Sequence, residues 1–361
     1  MSKTLEKKWL KEAASKVPAG FSGTTAWQSP SNIALVKYWG KHGNQLPKNP
    51  SISFTLSASK SETSIHYQRN DSGRLQLKFF FEGKENPAFA EKIQRFLSQI
   101  IPYFPFLNQL SLEISSNNTF PHSSGIASSA SAMSALVMGV LAIENKLKNT
   151  HETDLIKASY FSRLGSGSAS RSVFPVAAVW GKTTFLTESS DEFAIPVVQQ
   201  LHPVFQDFYD SILIIDSGTK AVSSRAGHAL MDNNPFAPTR YKQAHKNIQD
   251  LYSAMQAGDL ATFIRITEAE ALQLHALMMT SDPGYILMQP NSLAAIKAIR
   301  NFREDTKMPL CFTLDAGPNI HLLYPASVRE EVLAFIENEL QPLCANGFWI
   351  DDIVGQGASA I

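Results

Sequence analysis

The sequence predicts an α+β fold in two lobes that share a cleft. Alternating, strand-like segments crowd the early part of the chain. The run Ile212-Leu213-Ile214-Ile215 is apolar throughout, as a strand at the centre of a sheet must be. After Ser217 the patterns turn mainly helical, which places a boundary between lobes near residues 210 to 220. No internal repeat and no low-complexity tract competes with this reading.

Taken in order, residues 1 to 22 read as an additional N-terminal arm, with Leu5, Trp9, Leu10 and Ala13 at helical spacing. A dense motif follows, Ser29-Pro30-Ser31-Asn32-Ile33-Ala34-Leu35-Val36-Lys37-Tyr38-Trp39-Gly40-Lys41, and then a small-polar run from Leu46 to Leu56. Glu62 to Tyr67 and Leu75 to Phe81 are strand-like on either side of the turn Asn70-Asp71-Ser72-Gly73. Phe89 to Ile101 carries an amphipathic helical stripe, and Leu110 to Ile114 alternates as a strand. A Ser-rich loop, 117–131, leads into an apolar helix from Ala132 to Lys146. Asp154 to Leu164 reads as a short helix ending at Gly165-Ser166-Gly167-Ser168-Ala169-Ser170-Arg171. Thr183 to Thr187 and Ser211 to Ile215 are expected strands, and Phe236 to Met279 two helices broken at Gly258-Asp259. Asn291 to Phe302 supplies another helix, Cys311 to Leu314 and His321 to Tyr324 a strand pair. Val328 to Leu340 is expected as the final helix and Phe348 to Val354 as the last strand.

An apolar fraction of 44% and a charged fraction of 18% over 361 residues describe a folded globular chain with well-filled cores. Thirty-two basic residues balance 32 acidic ones, so no general affinity for nucleic acid or a membrane surface is expected. The two cysteines, Cys311 and Cys344, lie in apolar surroundings without metal-ligand spacing and read as reduced, buried thiols. Met1 to Lys16 is charged and lacks the apolar core of a secretion signal, and no apolar run approaches the ~20 residues that span a bilayer. A cytoplasmic location is the expectation.

Four polar clusters bear on chemistry. Lys37 and Lys41 lie four apart, on one helix face or flanking a turn, and Lys37 is so enclosed by apolar residues that it needs an anionic partner. The loop before the apolar helix joins a strand to a helix start, where unpaired N–H groups and the dipole favour a phosphate; a Ser-rich cap on a core helix is the alternative. Ser166, Ser168 and Arg171 on a Gly/Ser turn can ring a carboxylate or phosphate, or form a flexible turn with an exposed Arg. Asp315 ends an apolar strand before Ala316-Gly317-Pro318-Asn319; it either caps that turn or is a cleft carboxylate held near Lys37 or Arg171. Together they describe a site for a polyanion beside a nucleotide phosphate. The common P-loop and dinucleotide glycine patterns are both absent, so an ATP site must be of another type.

Pro121-His122-Ser123-Ser124-Gly125-Ile126-Ala127-Ser128-Ser129-Ala130 resembles the phosphate loop of the GHMP small-molecule kinase superfamily. Asn32 to Lys41, Gly165 to Ser172 and Asp315 to Asn319 are more specific, and resemble the diphosphomevalonate decarboxylase family within it. The resemblance runs in order from about Thr24 to the C-terminus. It implies a GHMP-kinase-like two-lobed fold, with a ribosomal S5 domain 2-like N-terminal lobe (23–210) carrying the phosphate loop, and a ferredoxin-like α/β C-terminal lobe (211–361). It also implies ATP-dependent decarboxylation of (R)-5-diphosphomevalonate to isopentenyl diphosphate, with Mg²⁺ as cofactor, in a homodimer.

By the same resemblance, Ser124, Gly125, Ala127, Ser128, Ser129 and Ser131 would hold the ATP phosphates, with Ser129 near the γ-phosphate and Mg²⁺. Asp315 would orient or deprotonate the tertiary hydroxyl, Lys37 would lie between Asp315 and the transferring phosphoryl group, and Arg171 would bind the substrate carboxylate. Asn32, Tyr38, Lys41, Ser166, Ser168, Ser224 and Arg225 would surround the substrate and its diphosphate. The sequence departs from the family pattern at His122-Ser123-Ser124, commonly Thr-Ala-Ala, and at Phe174-Pro175-Val176, usually Phe-Gly-Gly. Rival expectations are decarboxylation of the 5-monophosphate, 3-phosphorylation alone, and a non-catalytic binding protein.

Overall fold

The computed structural model describes residues 2–121, 126–218 and 224–361, with the backbone alone for Ser2, Lys3, Ser224 and Arg225. The N-terminal arm opens with helix α1, Ser2–Lys11. Its Trp9 is 2% exposed, packed on Tyr160 and Phe161, so the arm is docked on the body by one aromatic anchor.

Strand β1, Ser22–Val36, is followed by a small hairpin of β2, Lys41–His42, and β3, Leu46–Pro47, and then by β4, Ser51–Arg69. The pair β1–β4 is antiparallel, with register irregularities between Pro30 and Asn32 and between Ala34 and Val36. These bulges bend the pair. The lower part of β4 pairs with β7 and its start, Ser51 to Phe54, with β8. Strands β5, Gln76–Phe81, and β6, Lys84–Glu85, precede helix α2, Pro87–Ile100, whose N-cap Asn86 accepts from the Phe89 N–H. Strand β7, Leu110–Asn118, turns Leu110, Leu112 and Ile114 inward at the expected period of two. Helix α3, Ser128–Lys148, lies against β1 and β4, and helix α4, Leu155–Gly165, beside it.

With β14, Ser359–Ala360, at one edge, the first sheet runs β14-β1-β4-β7-β5-β6, with β8, Ala177–Trp180, on β4 and β9, Ala194–Pro196, on β8. The second is wholly antiparallel, ordered β11-β12-β10-β13, from β10, Phe208–Leu213, β11, Cys311–Thr313, β12, Ile320–Pro325, and β13, Trp349–Ile353. Helix α5 is Ser224–Ala229; α6, Ala237–Ala257, and α7, Leu260–Met279, form the expected pair. Gly258 at φ 75° closes the first of them, and Asp259 caps the second through the Thr262 N–H. Helices α8, Pro290–Thr306, and α9, Arg329–Phe335, complete the set, the latter continuing as a π turn over Ile336–Leu340.

Three expectations need correction. Thr183 to Thr187 is a loop, because Ser189 and Thr183 hydroxyls bind the local backbone and displace ladder pairing; the strands lie on either side, in β8 and β9. Phe348 to Val354 is not the last strand, since Ser359–Ala360 forms β14 on the edge of β1. The motif around Asn32 is itself strand, continuous with β1. Helix α3 is long and apolar enough to span a bilayer by composition, the one such helix among the described residues, and it serves as the core helix of the first lobe, 67% of its apolar window being buried. Cys311 and Cys344 are free and buried, as expected.

Candidate active site

A cleft of about 240 Å³ opens where five pieces of chain converge. The end of β1 brings Lys37, Tyr38 and Trp39, and the β2 hairpin Lys41 and Gln45. The turn after α4 brings Ser166, Ser168 and Arg171, the start of α3 Ala127 and Ser129, and the loop after β11 Asp315 and Ala316. His228 of α5 and Leu274 of α7 close the wall. Two glycines make this closeness possible. A Cβ on Gly167 would stand 2.7 Å from the Trp180 ring and 3.0 Å from the Tyr38 hydroxyl, and one on Gly227 2.5 Å from the Trp39 ring.

Lys37 is 1% exposed, and its Nζ donates to Asp315 Oδ1 at 2.8 Å. Burial lowers the Lys37 pKa, and the Asp315 carboxylate opposes that fall. The backbone of Lys37 is pinned as well. Its N–H donates to Glu270 Oε2 at 2.8 Å, and its carbonyl accepts from Asn49 Nδ2 at 3.0 Å. Glu270, fully buried, is held in turn by Arg240 and by Asn247 Nδ2. On the other side His275 Nε2 meets the Asp315 carbonyl at 3.1 Å. Asp315 keeps 27% of its side chain exposed, toward the cleft. The pair is therefore rigid behind and open in front.

Arg171 is 2% exposed and bound by neutral groups. Its Nε donates to Ser53 Oγ at 2.9 Å, one terminal nitrogen to Ser51 Oγ at 2.5 Å, and the other to Asn32 Oδ1 at 3.0 Å. Ser51 and Ser53 reach it together because alternate residues of β4 share a face. Burial pulls its pKa down to about 10, leaving it a cation at neutral pH. Among the described residues no carboxylate forms an ion pair with it, and one N–H on each terminal nitrogen stays available. A buried cation held this way is complementary to a carboxylate gripped by two parallel bonds.

The remaining expected residues divide. Tyr38, Lys41, Ser166, Ser168, Ala127 and Ser129 line the cleft, with Ser129 Oγ 3.3 Å from Ser166 Oγ and Lys41 Nζ donating to Gln45 Oε1 at 3.0 Å. Burial raises the Tyr38 phenol, which stays neutral. Asn32 does not line the cleft; it orients Arg171 and donates to Ser172 Oγ at 2.8 Å. Ser128, half-buried, gives its carbonyl to Ser131 Oγ. Ser131 is a correction: it is fully buried, its hydroxyl 2.7 Å from Ser61 Oγ, and it faces the core one turn into α3. Ser124 and Gly125 lie outside the described residues, as do the side chains of Ser224 and Arg225. Val176, where the resemblance leads to Gly, holds φ 57°, so this chain keeps a left-handed turn there on a β-branched residue. Sequence reasoning missed Glu270, Arg240, Asn247, His275 and Asn49, which act from distant helices and loops. The alternation Ser51-Ile52-Ser53 was the one available signal.

Residues 29–192 match the model of the diphosphomevalonate decarboxylase-like N-terminal domain, and residues 211–351 that of the mevalonate 5-diphosphate decarboxylase C-terminal domain. The chain belongs to the diphosphomevalonate decarboxylase family. It is 30% identical over 335 residues to the diphosphomevalonate decarboxylase of Ganoderma lucidum, covering 85% of this chain and 80% of that one. Among solved structures, mevalonate diphosphate decarboxylase from Staphylococcus aureus shares 27% identity at a TM-score of 0.81, over 94% of this chain and 98% of that one. MDDEF in complex with MVAPP, AMPPCP and magnesium shares 26% identity at 0.79, over 94% and 99%. Mixed helix and sheet in two lobes is thus the architecture of this decarboxylase family, as the resemblance implied.

The donors present suit a phosphate-borne magnesium ion better than a protein-held one. Among the described residues no three His, Cys, Asp or Glu side chains gather to hold a metal. Mg²⁺ keeps most of its ligands as water and phosphate oxygens, so one hydroxyl such as Ser129, at a helix start on the cleft, fits an ion carried in by nucleotide phosphates.

Two neutral histidines give this family member a pH signature. Burial depresses His228 to about 3 and His275 to about 4, against 6.5 for a free imidazole. Both folded values lie below the unfolded one, so below pH 6.5 the unfolded chain takes protons that the folded chain refuses, and stability falls with pH. Glu192 and Asp210, raised by burial, work in the opposite sense. A comparison isolates His228: between pH 5.5 and 4 the parent should lose about 1.4 kcal/mol more per pH unit than the H228N chain. Urea midpoints across that range test it, and parallel slopes would refute it.

Proposed function

We propose that this chain phosphorylates the 3-hydroxyl of (R)-5-diphosphomevalonate with ATP and then eliminates phosphate and CO₂, giving isopentenyl diphosphate and ADP. The observation that carries the reading is the Lys37–Asp315 pair, 2.8 Å apart, in one cleft with a buried Arg171 that has no carboxylate partner among the described residues. Relatives aligned over 85 to 87% of this chain bear the name of this activity.

The chemistry follows from the groups present. A tertiary alcohol leaves poorly, so its oxygen first attacks the γ-phosphorus of ATP while its proton passes to Asp315, the bond from the γ-phosphorus to the β,γ-bridging oxygen breaks and ADP departs. The C3–O bond then breaks toward phosphate, and positive charge grows at C3. The bond from C2 to the carboxylate breaks next; its electron pair becomes the alkene and CO₂ departs. Arg171 holds that carboxylate in place until then, and Lys37 offsets negative charge on the transferring group. Ser129 would hold Mg²⁺, which when bound would supply further charge neutralisation on the phosphates. Tyr38, Lys41, Ser166, Ser168, Ser224 and Arg225 take the diphosphate end. Ser124, Gly125, Ala127 and Ser128 take the ATP phosphates, the last two at the start of α3, where unpaired N–H groups favour an anion.

The division we propose is an extension over 1–22 and lobes over 23–210 and 211–361, with the second sheet's β10 beginning three residues before that boundary and β14 returning to the first sheet, and we infer a cytoplasmic homodimer. Turnover on mevalonate, its 5-phosphate and its 5-diphosphate, with ADP and CO₂ both followed, tests the reading. Equal release of ADP and CO₂ from the 5-diphosphate, at least about tenfold faster than from the others, is expected. ADP without CO₂ would make the chain a 3-kinase.

A further inference from the structure

His228 has no part in the mechanism above, yet it lines the cleft at 8% exposure. Its ring packs against those of Tyr38 and Trp39, with centroids 4.5 and 4.4 Å away and planes tilted by 37° and 33°. The Gly40 N–H donates to its Nδ1 at 2.9 Å. A nitrogen that accepts carries no proton, so a neutral ring has its hydrogen on Nε2. Among the described residues Nε2 has no hydrogen-bond partner. That donor opens on the cleft without a protein partner, so a ligand oxygen there can take the place of water on it. The polar groups on the cleft wall at this end are Tyr38, Lys41, Ser166 and Ser168, all donors suited to phosphate oxygens.

We propose that His228 is a specificity-determining residue, its Nε2–H a neutral donor to the diphosphate of the substrate. The inference rests on the reading of this cleft as the diphosphate site. Lys41 beside it lowers the imidazole pKa further after burial, which keeps the ring neutral and the tautomer fixed. A neutral donor of fixed direction distinguishes phosphate oxygens by position, where a second flexible cation would only add attraction.

The test uses two isosteres in the full chain. In H228N the amide oxygen takes the place of Nδ1 and keeps the Gly40 bond, while the Nε2 donor is withdrawn. In H228Q the amide nitrogen takes the place of Nε2 and restores the donor. Inorganic pyrophosphate, titrated against Trp39-reported fluorescence, should bind H228N about tenfold more weakly than the parent and H228Q within about threefold. KM for the 5-diphosphate should follow the same order with kcat nearly unchanged. Near-ultraviolet circular dichroism establishes that both variants are folded. Parent-like pyrophosphate binding by folded H228N would overturn the proposal, and so would equal weakening in both variants, which would assign the effect to ring stacking. Failure of the functional reading is read separately, from ADP release by the parent chain.

Discussion

Asp315→Asn should bind ATP as the parent does and lose turnover by about 10³-fold. Asn keeps the shape and can still accept from Lys37, but it cannot take the hydroxyl proton. Because Lys37 is 1% exposed, the substitution also leaves its ammonium without the carboxylate 2.8 Å away that favours it. The folded D315N chain should therefore be less stable by a few kcal/mol, in the range of breaking a buried pair. Rapid-quench measurement of ADP formation, with a fluorescent nucleotide titration and a melting curve, separates these effects. Turnover within about tenfold of the parent would remove Asp315 from the chemistry.

Arg171→Lys should reduce kcat/KM for the 5-diphosphate by about 10²- to 10³-fold, with ATP affinity unchanged. An ammonium keeps the charge but not the fork. It cannot donate to Asn32, Ser51 and Ser53 while offering two parallel N–H groups to a carboxylate. The loss corresponds to about 3 to 4 kcal/mol, what one bidentate charged contact and the serines' lost partners supply together. Steady-state kinetics decide it. A chain carrying R171K with parent-like kcat/KM would assign the carboxylate to another group.

The legible part of this molecule was whatever announces itself locally. Gly258-Asp259 breaks the long helical pattern into α6 and α7 where expected, and the apolar run around Ile212 enters an inner strand of the second sheet. Lys37 could be called buried and in need of an anion from its neighbours alone, and Asp315 is that anion. What stayed hidden lies across distance. Nothing near Glu270 shows that its carboxylate will receive the N–H of a residue 233 positions away. Thr183 to Thr187 failed for a different reason: its β-branched residues resemble a strand, and a hydroxyl network with Ser189 outweighs that propensity. Ser131 reads as one more serine of the loop until the helix turns its hydroxyl to Ser61.

Asp352 in β13 receives the N–H groups of Ser57, Ala58 and Ser59 at 2.7 to 2.8 Å, and β14 then pairs with Trp27 and Gln28. The strand that leads into Lys37 thus has an edge neighbour supplied from more than 300 positions downstream. In the order of synthesis, the first sheet remains open-edged until nearly all of the second lobe exists. The two family-matched segments are accordingly not beads on a string. A gene split at the connection between them would divide one folding unit, and the cleft would be lost with the seam.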